Sequence, residues 1–318
     1  MPEGAHAPSP LDPAKFRDPH TTAKGESRAT VALSALKTLW FNTGSLCNIT
    51  CDNCYMHSSP TNDDLVYFSR EHAHRYLDEI KHEDMGVQEI GFTGGEPFMN
   101  PDLMDLLDDV LAHGFQALVL TNAMKPLWQK RADLLTLKTK HDVKQLKLRI
   151  SIDHYTPLGH EKVRGQGSWE PMEAGLKWLL KHGFHIDIAG RTMWGESEEA
   201  TRNSYQVLCA DWGLDLDAQN PARLVLFPEM DETTDVPEIT TQCWGLLDVR
   251  PDAMMCASSR MVVHRNGESL PTVMPCTLLP YDARFDMGTR LSDAQGPVAL
   301  NHPHCAKFCV LGGASCSA

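Results

Sequence analysis

The chain has 318 residues, 42% of them hydrophobic and 22% charged, a composition that fits a globular enzyme of one large domain, or of one domain with an appendage. A formal net charge of −13 sets it against phosphate backbones and anionic bilayers, and no apolar run approaches the roughly 18 to 20 residues of a membrane span. The expectation is a chain with neither nucleic acid nor membrane as partner.

Residues 1–35 open with a stretch rich in Pro, Ala and charge and without the apolar core of a signal peptide. This reads as a loosely ordered arm on a cytoplasmic protein. From residue 36 short strand patterns alternate with amphipathic helices. "LKTLWFN" (36–42) is the first strand. Ser69 N-caps a helix that ends at Gly86, and "VQEIGFTGG" is the second strand. Pro101 starts a helix with Leu103, Leu106, Leu107, Val110 and Leu111 on one face. "FQALVLTNA" is the third strand, with a helix to about residue 140, and "LKLRISID" (146–153) is the fourth. "FHIDIAGRT" and "ARLVLFP" (222–228) complete six strands, with helices between them. Such alternation predicts an α/β fold, a partial (β/α)6 TIM-type barrel over 36–228, with a doubly wound open sheet as the alternative. Both place chemistry at the C-terminal ends of the strands. Beyond residue 228 apolar periodicity gives way to Pro, Gly and Cys, so 229–318 reads as a small region that needs a metal staple.

The ten cysteines fall into two groups, three at Cys47, Cys51 and Cys54 and six beyond residue 240, with Cys209 alone on an apolar helix face. In a cytoplasmic chain that distribution points to metal ligation over disulfides. The loop "CNITCDNC" has C-x3-C-x2-C spacing. Each iron of a four-iron cluster takes one protein ligand, so three thiolates leave one iron open to a small molecule. A zinc site completed by His57, or three unconnected buried cysteines, are the alternatives on the loop alone. At the end of the second strand "GFTGGEP" (91–97) offers Gly94 and Gly95, which permit close backbone approach, and Glu96, a carboxylate for a cationic amine.

Cysteine loop, GGEP and six β/α units together resemble the radical SAM superfamily over residues 36–228. The resemblance implies a [4Fe-4S] cluster on Cys47, Cys51 and Cys54 whose open iron binds the amino nitrogen and carboxylate of S-adenosyl-L-methionine. One-electron reduction, from a flavodoxin- or ferredoxin-type partner, then yields a 5′-deoxyadenosyl radical that removes a hydrogen atom from substrate. "LTNA" (120–123) resembles the family's third-strand segment, placing Asn122 near the cofactor. "ISIDHYTPLGHEKVRGQGSWE" (150–170) resembles the signature of members with extra clusters, which implies that Ser151 and Asp153 contact S-adenosylmethionine and that Arg164 meets its carboxylate or braces the loop. Many members carry an aromatic just before the third cysteine. Here Asn53 stands there and Tyr55 follows.

"CASSRMVVHRNGESLPTVMPC" (256–276) places two cysteines around a hairpin-like "RNGE" and resembles the opening of SPASM and twitch extensions. "CAKFCVLGGASC" (305–316) resembles their terminal segment without its usual C-x2-C spacing. Two further clusters need more ligands than six cysteines supply. The expectation is one auxiliary [4Fe-4S] cluster on Cys256, Cys276, Cys305 and either Cys309 or Cys316, with a zinc knuckle joined by His302 or His304 as the alternative. Cys243 is then left as a candidate hydrogen-atom donor near the substrate.

The leading functional expectation is oxidation or epimerisation of a small sugar or amino-acid-like molecule. It rests on the arm being short beside a leader-binding domain of roughly 80 residues. The alternatives are a maturase acting on a ribosomal peptide and, from another class, a non-catalytic iron–sulfur carrier or scaffold.

Overall fold

The computed structural model describes residues 9–313. In chain order it contains β1 (Thr30–Val31), β2 (Thr38–Asn42), α1 (Arg70–His82), β3 (Glu89–Thr93), α2 (Leu103–Ala112), β4 (Gln116–Thr121), α3 (Lys125–Gln129) and α4 (Arg131–Lys140). There follow β5 (Leu146–Ser151), α5 (Pro157–Arg164), α6 (Trp169–Lys181), β6 (His185–Arg191), α7 (Glu198–Trp212) and β7 (Leu224–Phe227). The C-terminal region contributes α8 (Cys243–Leu246), β8 (Ser259–Val263), β9 (Thr272–Met274), β10 (Val298–Ala299) and a π-helical turn at Cys305–Val310.

Strands β2 to β7 pair in parallel in chain order, joined by helical crossovers, as a partial barrel of the TIM type requires. Period-two alternation divides their side chains between two cores. Leu39, Phe41, Ala117, Val119, Ile186, Ile188, Leu224 and Leu226 face the helices. Their neighbours Trp40, Leu118, Ala189, Val225 and Phe227 enter a second core with residues from both ends of the chain. Helix α1 begins where Ser69 Oγ accepts the His72 N–H (3.2 Å), and the apolar face expected of α2 is buried throughout. The helix expected to run to residue 140 is instead two, α3 and α4, meeting at Lys130, whose ψ of 11° has left the helical range.

Two features were not legible beforehand. Strand β8 pairs in parallel with β2 on the side away from β3, and β9 pairs antiparallel with β8, so the sheet runs β7-β6-β5-β4-β3-β2-β8-β9. The hairpin expected between Cys256 and Cys276 therefore extends the same sheet. The described part of the expected loose arm, residues 9–35, is packed: Phe16, Ala29 and Val31 are buried in the second core, and β1 pairs with β10. Its anchor is Arg28, whose fully buried guanidinium donates to Asp18, Thr21 and Leu300 carbonyls and to Glu238 Oε1 (2.5 Å). Glu238 also accepts the backbone N–H groups of Phe16 (2.7 Å) and Ala23 (2.6 Å).

Removing one partner of a buried ion pair leaves the other unpaired. Arg28→Met should therefore lower unfolding free energy by about 3 kcal/mol in urea titration and open residues 9–35 to limited proteolysis. A wild-type midpoint and cleavage pattern would contradict this role for Arg28.

Candidate active site

At the C-terminal ends of the strands lies a cavity open to solvent. Its walls include Cys47, Cys51 and Cys54 from the loop after β2, Gly94 and Gly95 after β3, Asn122 after β4, Ser151 and Asp153 at β5, and Arg164 at the end of α5. These sequence-predicted residues thus meet in one place. The loop is held against the sheet by backbone bonds from Thr43 N to Thr93 O (2.7 Å), Gly95 N to Gly44 O (2.8 Å) and Glu96 N to Leu46 O (3.1 Å). The approach is too close for side chains. A Cβ on Gly94, whose φ is +140°, would stand 2.5 Å from Gly44 O, and one on Gly95 would stand 2.1 Å from Leu46 O.

Glu96 differs from expectation. Its carboxylate is buried and is not on the cavity wall. It accepts Thr121 Oγ1–H (2.7 Å), Asn122 N–H (2.8 Å) and Phe98 N–H (3.2 Å), and so ties the end of β3 to the end of β4. Burial raises its pKa to about 6 against the lowering effect of these donors, so a cation in the cavity would favour its charged form. Asn122, fixed by that bond, donates from Nδ2 to Asn48 Oδ1 (2.9 Å) inside the cysteine loop.

Asp153 is the electrostatic centre of the opposite wall. Burial opposes its charge, but Arg164 and Arg191 overcome this and hold its pKa below the usual carboxylate range. Arg164 Nε donates to Asp153 Oδ2 (2.6 Å) and Arg191 Nε to Asp153 Oδ1 (3.3 Å). Arg191 was missed in the sequence. Register was the available signal: Ser151 lies beside Ala189, which places Asp153 and Arg191, each two residues further on, at adjacent strand ends. Arg191 lines the cavity and its Nη1 is buried without a partner. Tyr55 lines it too, stacked on Phe227 at 6.4 Å between ring centroids and 12° between planes. Burial pushes the Cys47 thiol up to about 12 and also raises Cys51.

A second, tight pocket gathers Cys256, Cys276, Cys305 and Cys309, with Met254, Met255, Leu278, Leu279, Val298 and Leu300 as the remaining wall. All four cysteines are buried, and burial raises Cys256 to about 11, Cys305 to about 12 and Cys309 well above the ordinary thiol value. The buried Arg260, also unforeseen, donates to Cys256 O (2.6 Å) and Ala294 O (2.8 Å), with its charge felt by Cys256. Cys316 lies outside the described residues. Cys243 is not on the wall of either cavity: its Sγ accepts Thr240 N–H (3.3 Å) at the start of α8, and the residue packs against the second core. Cys209 is buried on α7, as its helix face implied.

A parallel partial barrel with a three-cysteine loop at its mouth defines a class of cluster-dependent enzymes, and comparison with known proteins identifies it. The Radical SAM superfamily model matches residues 41–201, about half of the chain, and the chain belongs to that superfamily. Its members use a [4Fe-4S] cluster and S-adenosylmethionine. The chain is 31% identical over 144 residues to the antilisterial bacteriocin subtilosin biosynthesis protein AlbA of Bacillus subtilis (strain 168), covering 45% of this chain and 30% of AlbA. It is 30% identical over 138 residues to the mycofactocin maturase MftC of Mycobacterium tuberculosis (strain ATCC 25618 / H37Rv), covering 43% and 33%. The matches thus span about a third of these curated relatives. Streptococcus suis SuiB bound to S-adenosylmethionine has the same fold, with a TM-score of 0.58 at 14% identity over 80% of this chain and 63% of SuiB. Among the described residues no helix is long and apolar enough to cross a membrane.

Gly95→Ala should break the Gly95–Gly44 and Glu96–Leu46 bonds and cost about 1 to 3 kcal/mol, read from denaturant unfolding of the metal-free chain. Unchanged stability would show that the loop is not held by this contact.

Proposed function

We propose that this radical SAM enzyme modifies a peptide, with a cluster on Cys47, Cys51 and Cys54 and an auxiliary cluster on Cys256, Cys276, Cys305 and Cys309. The observation that carries the first part is the meeting of three thiols, the glycine cradle and the Asp153–Arg164–Arg191 group in one cavity. The donor set fits the cofactor. Three thiolates take three irons and leave a fourth for a small molecule, in a cavity that Gly94 and Gly95 also line while their lack of side chains lets the cysteine loop lie against the strand end. The cluster with S-adenosylmethionine, when bound, supplies reductive sulfonium cleavage and hydrogen-atom abstraction.

The chain's own residues do the rest. Backbone acceptors of Thr93–Gly95 receive the ammonium group, with the Glu96 charge behind them. Arg164, oriented by Asp153, pairs with the carboxylate. Tyr55 and Phe227 offer an aromatic face to the adenine. The partly apolar walls limit water at the reacting carbon.

The second cavity fits a group held by four thiolates. Its other walls are apolar, and Arg260 offsets thiolate charge that burial alone disfavours.

For the substrate, a peptide is supported over the small molecule first expected. AlbA is named for bacteriocin biosynthesis and MftC as a maturase, and SuiB bound to its precursor peptide SuiA shares the fold with a TM-score of 0.57 over 89% of this chain. The argument from a short arm loses its footing, because described residues of that arm are part of the core.

Anaerobically reconstituted protein with dithionite and S-adenosylmethionine should release 5′-deoxyadenosine, and Cys54→Ala should abolish this. A deuterated peptide encoded beside the gene should pass deuterium into that product. Normal cofactor cleavage without deuterium transfer from any neighbouring peptide would overturn the peptide assignment, and no cleavage at all would overturn the enzymatic reading.

A further inference from the structure

Outside both thiol sets, three side chains of another chemistry meet. Glu232, His302 and His304 each bring a ligating atom within 4.8 Å of the other two. Glu232 lies in the loop after β7, and the two histidines lead into Cys305. His302 is 8% and His304 3% exposed, while the side chain of Glu232 is 52% exposed. Two imidazoles are therefore buried beneath a carboxylate that reaches solvent. His302 Nδ1 accepts the His304 backbone N–H (3.1 Å), which turns its Nε2 edge toward Glu232 Oε2 (3.4 Å). The rings of His302 and His304 stand 4.8 Å apart, and His304 Nδ1 is buried with no hydrogen-bond partner.

A buried polar nitrogen left unsatisfied is destabilising, so the arrangement calls for a partner. Among the described residues no side chain provides one. A cation would, since it takes imidazole lone pairs and the carboxylate together and offsets the burial of both rings. We propose that Glu232, His302 and His304 form a binding site for a divalent first-row transition ion, distinct from both thiol sites. Two imidazoles and one carboxylate suit zinc or ferrous iron over magnesium or calcium, which take oxygen ligands. Three protein ligands leave a position of a tetrahedral ion for water, on the side where Glu232 meets solvent.

The site has a structural consequence. The loop that carries Glu232 also holds Glu229, which accepts Asn53 Nδ2–H (3.3 Å) in the cysteine loop, and Asp231, whose carbonyl accepts from Lys307 Nζ between Cys305 and Cys309. An ion on Glu232 and the two histidines pins this loop between the two thiol sites.

The test uses the full chain with its iron–sulfur sites reconstituted anaerobically, given one equivalent of zinc chloride, desalted, and analysed for zinc and iron. The wild type should keep about one zinc per chain with its iron unchanged. Glu232→Gln, at an exposed and isosteric position, and His302→Gln should each weaken zinc retention at least about tenfold, also with iron unchanged. Failure of the wild type to retain zinc, equal retention by Glu232→Gln, or zinc uptake at the expense of iron would each overturn the proposal. None of these readings depends on cofactor cleavage or on the substrate.

Discussion

The peptide groups of Gly94 and Gly95 lie so near residues 43–46 that no side chain fits between them, and the cysteine loop takes its position from that contact. The loop is long and irregular, and by itself has no reason to present three thiols to one point. The strand end supplies the reason, because the backbone ladder of β2 and β3 continues past the sheet into the loop. Glu96 then links that strand end to β4, and Asn122 links β4 back to the loop through Asn48. A closed circuit of short bonds thus fixes one wall of the cavity. Across the cavity, Asp153 between two guanidiniums fixes the other wall.

The second core connects this site to the C-terminal cysteines. Cys54 and Tyr55 pack against a cluster that contains Cys256, Cys276, Cys305 and Cys309. Tyr55 stacks on Phe227, and Phe227 lies 4.9 Å from the ring of Phe308, which stands between Cys305 and Cys309. The inward residues of β7 and β8 complete the same core. The two thiol sets therefore share one body of packing, and a disturbance at one has a direct steric route to the other. Arg28 belongs to this design as well, since it clamps the N-terminal strap over the same core.

Much of this was written locally in the sequence. Alternating strands and amphipathic helices are read from neighbours a few residues apart, and the six parallel strands follow from them. Cysteine spacing and the GGEP turn are likewise local. What escaped depends on contacts between distant segments. "SRMVV" carries no mark that it will pair with β2, and a lone Arg191 at a strand end looks like a surface charge until register sets it beside Asp153. The strap of residues 9–35 has too few apolar residues to announce burial. It is held by Arg28 and by backbone donors to Glu238, whose convergence only the fold creates. The bond from Thr240 N–H to Cys243 Sγ was equally hidden, because being the cysteine left over says nothing of where a thiol points.

The central claim is that one thiol set leaves an iron open to S-adenosylmethionine and the other is closed by four protein ligands. Electron paramagnetic resonance of the dithionite-reduced, reconstituted chain tests it directly. In the wild type, adding S-adenosylmethionine should change one component of the spectrum and leave another unaltered. In a chain with Cys47, Cys51 and Cys54 replaced by Ala, only the unresponsive component should remain. A responsive signal that survives those replacements, or a wild-type spectrum indifferent to S-adenosylmethionine, would contradict the account.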